Sequence, residues 1–187
     1  MSSSSFVAKL FSPLSKIFGK QDGVEAHLYR WAVQCYDLMA EQVVHWVEAD
    51  RLKMEDKFDL RFEIAVFWMT HMMAEIKKRY PQRAAELNQA LWNATFEGFD
   101  WSLRERGVVD IRMNARMRKL FTHAHGRRNA YVAALEQGDD DLLKQSIVRN
   151  ILDGKAEIDD ERVEQLVQSL DDIAQIVEQN PPPAEKS

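Results

Sequence analysis

One cysteine, Cys35, is all the thiol this chain of 187 residues carries, so neither an internal disulfide nor a thiolate metal cluster can form within it. Such usage suits a reducing compartment, and a lone cysteine in an apolar stretch acts as a small buried hydrophobe. Glycine and proline are scarce, seven and five residues, which leaves room for long uninterrupted helices. No stretch approaches about 18 apolar residues free of charge, so no helix is expected to span a bilayer. Also missing are a Gly-rich phosphate loop, a nucleophile elbow and a His-Glu-x-x-His pair. The Glu-x-x-His pairs of a di-iron bundle do not occur, and Glu41 and His45 stand alone at a spacing of four. His123 and His125, two apart on a helix, point in different directions with no nearby Cys or carboxylate pair to complete a metal shell. These gaps argue against an enzyme, and no catalytic, cofactor-binding or metal-binding residue is assigned.

What is present is enough apolar material, 45% of residues, for a single domain with one sizeable core. The net charge of −5 is unevenly spread. Residues 1–20 contain Lys9, Lys16 and Lys20 with no acid, and residues 103–128 hold eight Lys or Arg against Glu105 and Asp110. From Glu136 onward the chain has fourteen acids and five bases. Such asymmetry can orient a protein on an anionic surface, with the acidic quarter facing away. A uniform wrap of nucleic acid does not fit, and DNA is not expected as a partner.

The first segment, residues 1–22, is a basic amphipathic stretch. Phe6, Leu10, Phe11, Leu14, Ile17 and Phe18 alternate with lysines, and Pro13 divides them into two short pieces. Burying six large apolar side chains is worth several kcal/mol, and each Lys near an anionic leaflet adds about 1 kcal/mol. Phe6, Lys9, Leu10, Phe11 and Phe18 are therefore the expected membrane contacts, a reversible foot. Docking on the helical body and a targeting role stay open beside it.

The rest reads as all-α, a single-domain bundle of about six to seven helices. Leu28, Trp31, Ala32, Cys35, Leu38, Met39, Val43, Trp46 and Val47 keep helical spacing between about Val24 and Val47. A second helix is expected over Phe58–Arg79, with Phe62, Ala65, Val66, Met69, Met72, Met73 and Ile76 on one broad side and Lys77, Lys78 and Arg79 at the end its dipole favours. Tyr80-Pro81 stops it. A third runs from about Gln82 to Glu105. Beyond Gly126 the pattern predicts a helix through Leu135, a short one near Asp139–Leu152, and an acidic one over Asp159–Gln179, with an extended, mobile tail from Pro181. The Met69, Met72, Met73, Met113 and Met117 set reads as core that can hold an apolar client if the helices part.

The run from Phe96 to Phe121 is the most informative stretch. Gly107 closes one helix, with Arg104 and Arg106 in its last turn and Asp100 four residues before Arg104 in the acid-before-base order that braces a helix end. Asp110 then stands where its carboxylate can cap a new helix from Ile111. There Met113, Met117, Leu120, Phe121 and Ala124 form one stripe expected to be buried, while Arg112, Arg116 and Lys119 fall on a different flank suited to an anionic surface or a client.

The stretch from Leu87 to Asp110, the basic helix after it and the Gly126 to Leu135 segment together resemble the ubiquinol-cytochrome c chaperone family. Ser102-Leu-Arg-Glu, Gly107-Val, Asp110 and Tyr131-Val-Ala-Ala-Leu match best. Upstream, Asp56-Lys-Phe-Asp-Leu-Arg-Phe-Glu-Ile-Ala-Val-Phe-Trp-Met-Thr-His is similar to the family's turn into a long apolar helix, with Lys57 where the family has Gly-Arg. The resemblance covers roughly residues 30–152. It implies an all-helical domain that assists newly made cytochrome b into the ubiquinol-cytochrome c reductase complex without cofactor or turnover. It also implies a nascent cytochrome b or other membrane-protein client, and a small helical partner protein. The expected organisation is 1–22 amphipathic segment, 23–152 chaperone-like domain, 153–180 acidic helix and 181–187 disordered tail. The expected location is cytoplasmic, peripheral to the inner membrane, with an organellar matrix as the alternative. Two other readings stand beside it: a helical adaptor binding RNA or the ribosome through its basic face, and a helical protein-protein interaction module.

Overall fold

The computed structural model describes the backbone over 24–107 and 110–184 and the side chains over 26–107 and 112–184. The expected membrane contacts Phe6, Lys9, Leu10, Phe11 and Phe18 lie outside the described residues, as does the side chain of Asp110. Six helices and no strand occur among the described residues: α1 Val24–Glu48, α2 Phe58–Arg79, α3 Ala84–Glu105, α4 Asp110–Gln137, α5 Asp140–Asn150 and α6 Glu161–Gln179.

The central element is α2, which packs against α1, α3, α4 and α6. Its sequence explains why: Ile64 to Met69 are all buried, so it is apolar around most of its girth and needs neighbours on several sides. Rings and polar tips fix those neighbours. Trp68 stacks edge-on against Trp46 of α1, centroids 5.4 Å apart, and donates its indole N–H to Ser169 Oγ of α6 at 2.8 Å. Phe67 meets Tyr131 of α4 at 5.0 Å. Cys35 is fully buried, and burial pushes its thiol up to about 12, so it is the inert hydrophobe expected. Met69 and Met72 are fully buried, Met73 and Met113 nearly so, and Met117 packs on the core from its edge.

Local chemistry sets the breaks. Asp139 accepts from the Leu142 N–H at 2.9 Å to cap α5, and Asp160 accepts from the Arg162 N–H at 2.9 Å to cap α6. The Arg162 side chain, bonded to the same carboxylate, holds Asp160 down at about 2. Gly107 takes φ +76° just past α3, a left-handed turn that suits glycine.

One expectation needs correction: α4 does not stop at Gly126 but is one helix of 28 residues. Gly126 keeps helical backbone there, exposed, and its interior cost of about 1 kcal/mol is outweighed by buried Leu120, Ala124 and Tyr131 on either side. The acidic last helix packs on its own domain. Val163, Leu166, Leu170, Ile173 and Val177 join the same hydrophobic core as α2. Beyond α6 the chain has no regular structure as far as Ala184; Trp31 Nε1 donates to Asn180 O at 2.9 Å and Arg83 Nη1 to Pro183 O at 2.6 Å.

The α2–α6 seam carries a pH dependence. His71 is half-buried, and burial holds its imidazole below the usual range against the opposing pull of Glu75, Asp171 and a backbone bond at Leu170, while Lys78 adds to the depression. The unfolded chain therefore takes up this proton first, near pH 6.5, and the folded state is favoured above that and loses stability as pH falls through its own lower value. Burial moves Glu63 the other way, raising its carboxyl from 4.5, so that its contribution grows as pH falls. Denaturant midpoints measured from pH 7.5 to 5.5 should fall for the native chain and stay flatter in His71→Gln; parallel curves would contradict the assignment.

Candidate functional site

α3 and α4 follow one another in sequence but touch only sparsely. The wedge between them is lined with rings. On α3, Trp92 and Phe96 stand one turn apart and stack at 4.9 Å. On α4, Phe121 and His125 repeat that spacing with centroids 4.8 Å apart. Across the wedge Phe121 meets Phe96 at 5.0 Å and Trp92 at 5.4 Å, and His125 meets Trp92 at 4.7 Å. The result is a groove of about 490 Å3 whose rim adds Trp101, Glu97, Asp100 and Arg104. Phe121, placed by its spacing in the buried stripe, is 44% exposed. Its neighbours at i−1 and i+3, Leu120 and Ala124, point into the core and turn Phe121 outward to the groove.

From Phe96 the rings continue inward through Phe99 at 5.5 Å and Phe62 at 5.2 Å to Phe58, whose centroid is 6.4 Å from Phe62. The guanidinium carbons of Arg106 and Arg116 lie 5.4 and 5.7 Å from the Phe58 centroid. Burial, and then Arg61 and Arg116 close by, push the Arg106 guanidinium below its usual value.

The far flank of α4 is the basic one. Arg112, Arg116 and Lys119 are all exposed there. Arg116 and Lys119 line a furrow of about 470 Å3 against α2, together with His123 and Arg127. Two acids of α2 face this flank: Asp59 pairs with Arg116 at 3.5 Å, and the half-buried Glu63 receives both Nε and Nη2 of Arg127, the closest contact being 3.0 Å. Arg112 stands one turn before Arg116, outside the furrow. Helix α4 is thus a ridge with an apolar groove on one side and a basic furrow on the other.

Arg104 Nε donates to Asp100 Oδ2 at 2.7 Å on the surface, a pair worth about 0.5 kcal/mol. The Gly107 N–H donates to Arg104 O at 2.9 Å, just past Arg106, the C-cap of α3. What the sequence reading missed is Trp92, Phe96 and Trp101 as the lining of a groove, and Arg127 and His123 as members of the furrow. The repeated i, i+4 ring pairs Trp92/Phe96 and Phe121/His125 were the available signal. His125 is engaged with rings, and no group of three or more His, Cys, Asp or Glu that could hold a metal occurs among the described residues. No helix among them is long and apolar enough to cross a membrane.

A helical bundle that turns a ring-lined groove and a charged flank outward has the build of a binding protein. The profile of the Ubiquinol-cytochrome C chaperone family matches residues 50–179, and the chain belongs to that family. The match takes in the acidic last helix, which the sequence resemblance had left out, and begins after α1. No curated protein and no solved structure gives a significant match to the chain. Family membership gives it a chaperone role toward a client protein.

Proposed function

We propose that the chain is a non-enzymatic assembly chaperone that holds an apolar segment of newly made cytochrome b in the groove between α3 and α4, while it rests peripherally on the cytoplasmic face of the inner membrane. The observation that carries this is Phe121, a large aromatic left 44% exposed at the edge of a ring-lined cavity. A chaperone needs apolar surface outside its own core, and most other large hydrophobic side chains described here are at least partly buried. The methionines favour no such role, being core. Arg112 and Lys119 supply charge for anionic headgroups beside the client; Arg116 is already shared with Asp59. The same sharing, and Glu63 next to Arg127, weigh against a long phosphate track of the kind an RNA or ribosome adaptor would use.

The test is a gene deletion in the source organism, complemented by variants, with haem b read in membranes and the cytochrome oxidase spectrum as control. Phe121→Ser should cost about 1 kcal/mol of stability, since the ring is only half-covered, yet strongly reduce the haem b signal. Arg112→Glu with Lys119→Glu should reduce it less. Full haem b with Phe121→Ser, at normal protein level, would remove the groove from the mechanism. Full haem b in the deletion itself would remove the client.

A further inference from the structure

Past the Glu63–Arg127 pair the basic furrow opens into a second cavity of about 560 Å3, where the loop after α1, the start of α2 and the turn between α5 and α6 meet α4. It shares no residue with the aromatic groove, so what it binds is independent of the client reading. In a chain of net charge −5, its wall carries Lys53, Lys57, Arg127, Arg149, Lys155 and Arg162 against four acids. Four of those bases are matched locally: Lys57 by Glu55 at 2.6 Å, Arg127 by Glu63 at 3.0 Å, Lys155 by Asp153 at 3.3 Å and Arg162 by Asp160 at 2.7 Å. Lys53 and Arg149 have no carboxylate within 4.0 Å among the described residues. Arg149 is positioned by a polar chain, its Nε donating to Asn150 Oδ1 at 3.2 Å and Asn150 Nδ2 donating to the buried Tyr131 hydroxyl at 3.3 Å.

The backbone adds a separate sign. Lys53 at φ +50° and Asp153 at φ +55° both line this cavity, from two different loops, in a left-handed conformation that glycine adopts more readily. Local strain retained by charged residues at a concave surface is more easily explained by what they bind than by stability.

We propose that this cavity binds a phosphate group, with Lys53 and Arg149 supplying the unmatched positive charge and Arg127, steadied by Glu63, at its inner wall. A phospholipid headgroup and a soluble polyphosphate share that chemistry. The size falls in the range of small-ligand sites, and a phosphate takes the bidentate donors that an arginine offers.

The two strained positions give a test with opposite signs. Lys53→Gly and Asp153→Gly each relax the backbone, so both should raise the melting temperature of the free full-length chain. The first removes a cation and should weaken binding about fivefold, while the second removes an acid, releases Lys155 and should tighten it by a similar factor. Binding is measured with inorganic pyrophosphate by calorimetry and with mixed phosphatidylcholine–phosphatidylglycerol vesicles by co-sedimentation, against phosphatidylcholine alone. Opposite shifts with pyrophosphate support the site with a soluble ligand. Opposite shifts with the anionic vesicles alone support it with a lipid headgroup. Absence of binding to either probe, shifts of the same sign in both variants, or tight binding of single-stranded RNA that neither variant alters would overturn it.

Discussion

Asp56→Ala is expected to lower stability by about 3–5 kcal/mol, the usual result of removing the carboxylate to which a buried charge is bonded. The arginine concerned is Arg61, on a helix whose other inward residues, Thr70 apart, are apolar. Its side chain is 0% exposed, and it meets Asp56 through two parallel bonds, Nε to Oδ1 at 2.7 Å and Nη2 to Oδ2 at 2.9 Å. Asp56 lies in the turn before α2, so the pair fastens that turn to the helix it introduces and seats Phe58 under Arg106 and Arg116. For a chain of this size such a loss corresponds to a fall in melting temperature of roughly 6–20 °C. Replacing both partners, Asp56→Leu with Arg61→Met, should cost much less, since no charge is then stranded. Thermal melts followed by circular dichroism of the three variants decide it: a single variant no worse than the double would show that Arg61 is balanced elsewhere.

That arginine marks the limit of what hydrophobic spacing reveals. Periodicity located α2 to the residue, because Phe58 follows a polar turn and Pro81 forbids continuation, and both causes are local. It also located α3, α5 and α6 within a turn, while the caps Asp139 and Asp160 are findings of the structure. It went astray where the deciding cause is tertiary. Gly126 has the sequence look of a break, but the helix on both sides of it is held by Leu120, Ala124 and Tyr131 in a shared core. Phe121 obeys the apolar spacing and is nonetheless outside, because α3 and α4 diverge there, and divergence is set by how each packs on α2. The basic flank was legible as a row of charges, while Asp59 and Glu63 opposite it belong to another helix and could not be paired with it from spacing. The two carboxylates change the meaning of the row, from a free cationic face to a furrow already partly neutralised.

Gly98→Ala is expected to be among the most damaging single-methyl changes in the molecule. A Cβ at this position would lie 2.1 Å from Tyr36 Cζ, 2.2 Å from its hydroxyl oxygen and 2.7 Å from Cε1, all inside van der Waals contact. Tyr36 is itself fully buried, and α1 and α3 pack closely where the two meet, so the ring can move only against its packed neighbours. Overpacking of this kind costs about 1–3 kcal/mol or more, here at the upper end because a helix must move. That movement has a functional reading. Gly98 faces α1, on the side of α3 turned away from the ring pair Trp92 and Phe96, so forcing α3 away from α1 displaces those rings relative to Phe121. The groove should then change together with stability, visible as an altered tryptophan emission and near-ultraviolet dichroism at temperatures where far-ultraviolet helicity is still intact. Tyr36→Leu, costly alone through lost packing, should be partly compensating in combination with Gly98→Ala, giving a coupling energy of about 1 kcal/mol or more in a double-mutant cycle. Additive losses would mean that the two side chains do not compete for the same space, and that the close approach of α1 and α3 is not what fixes the shape of the groove.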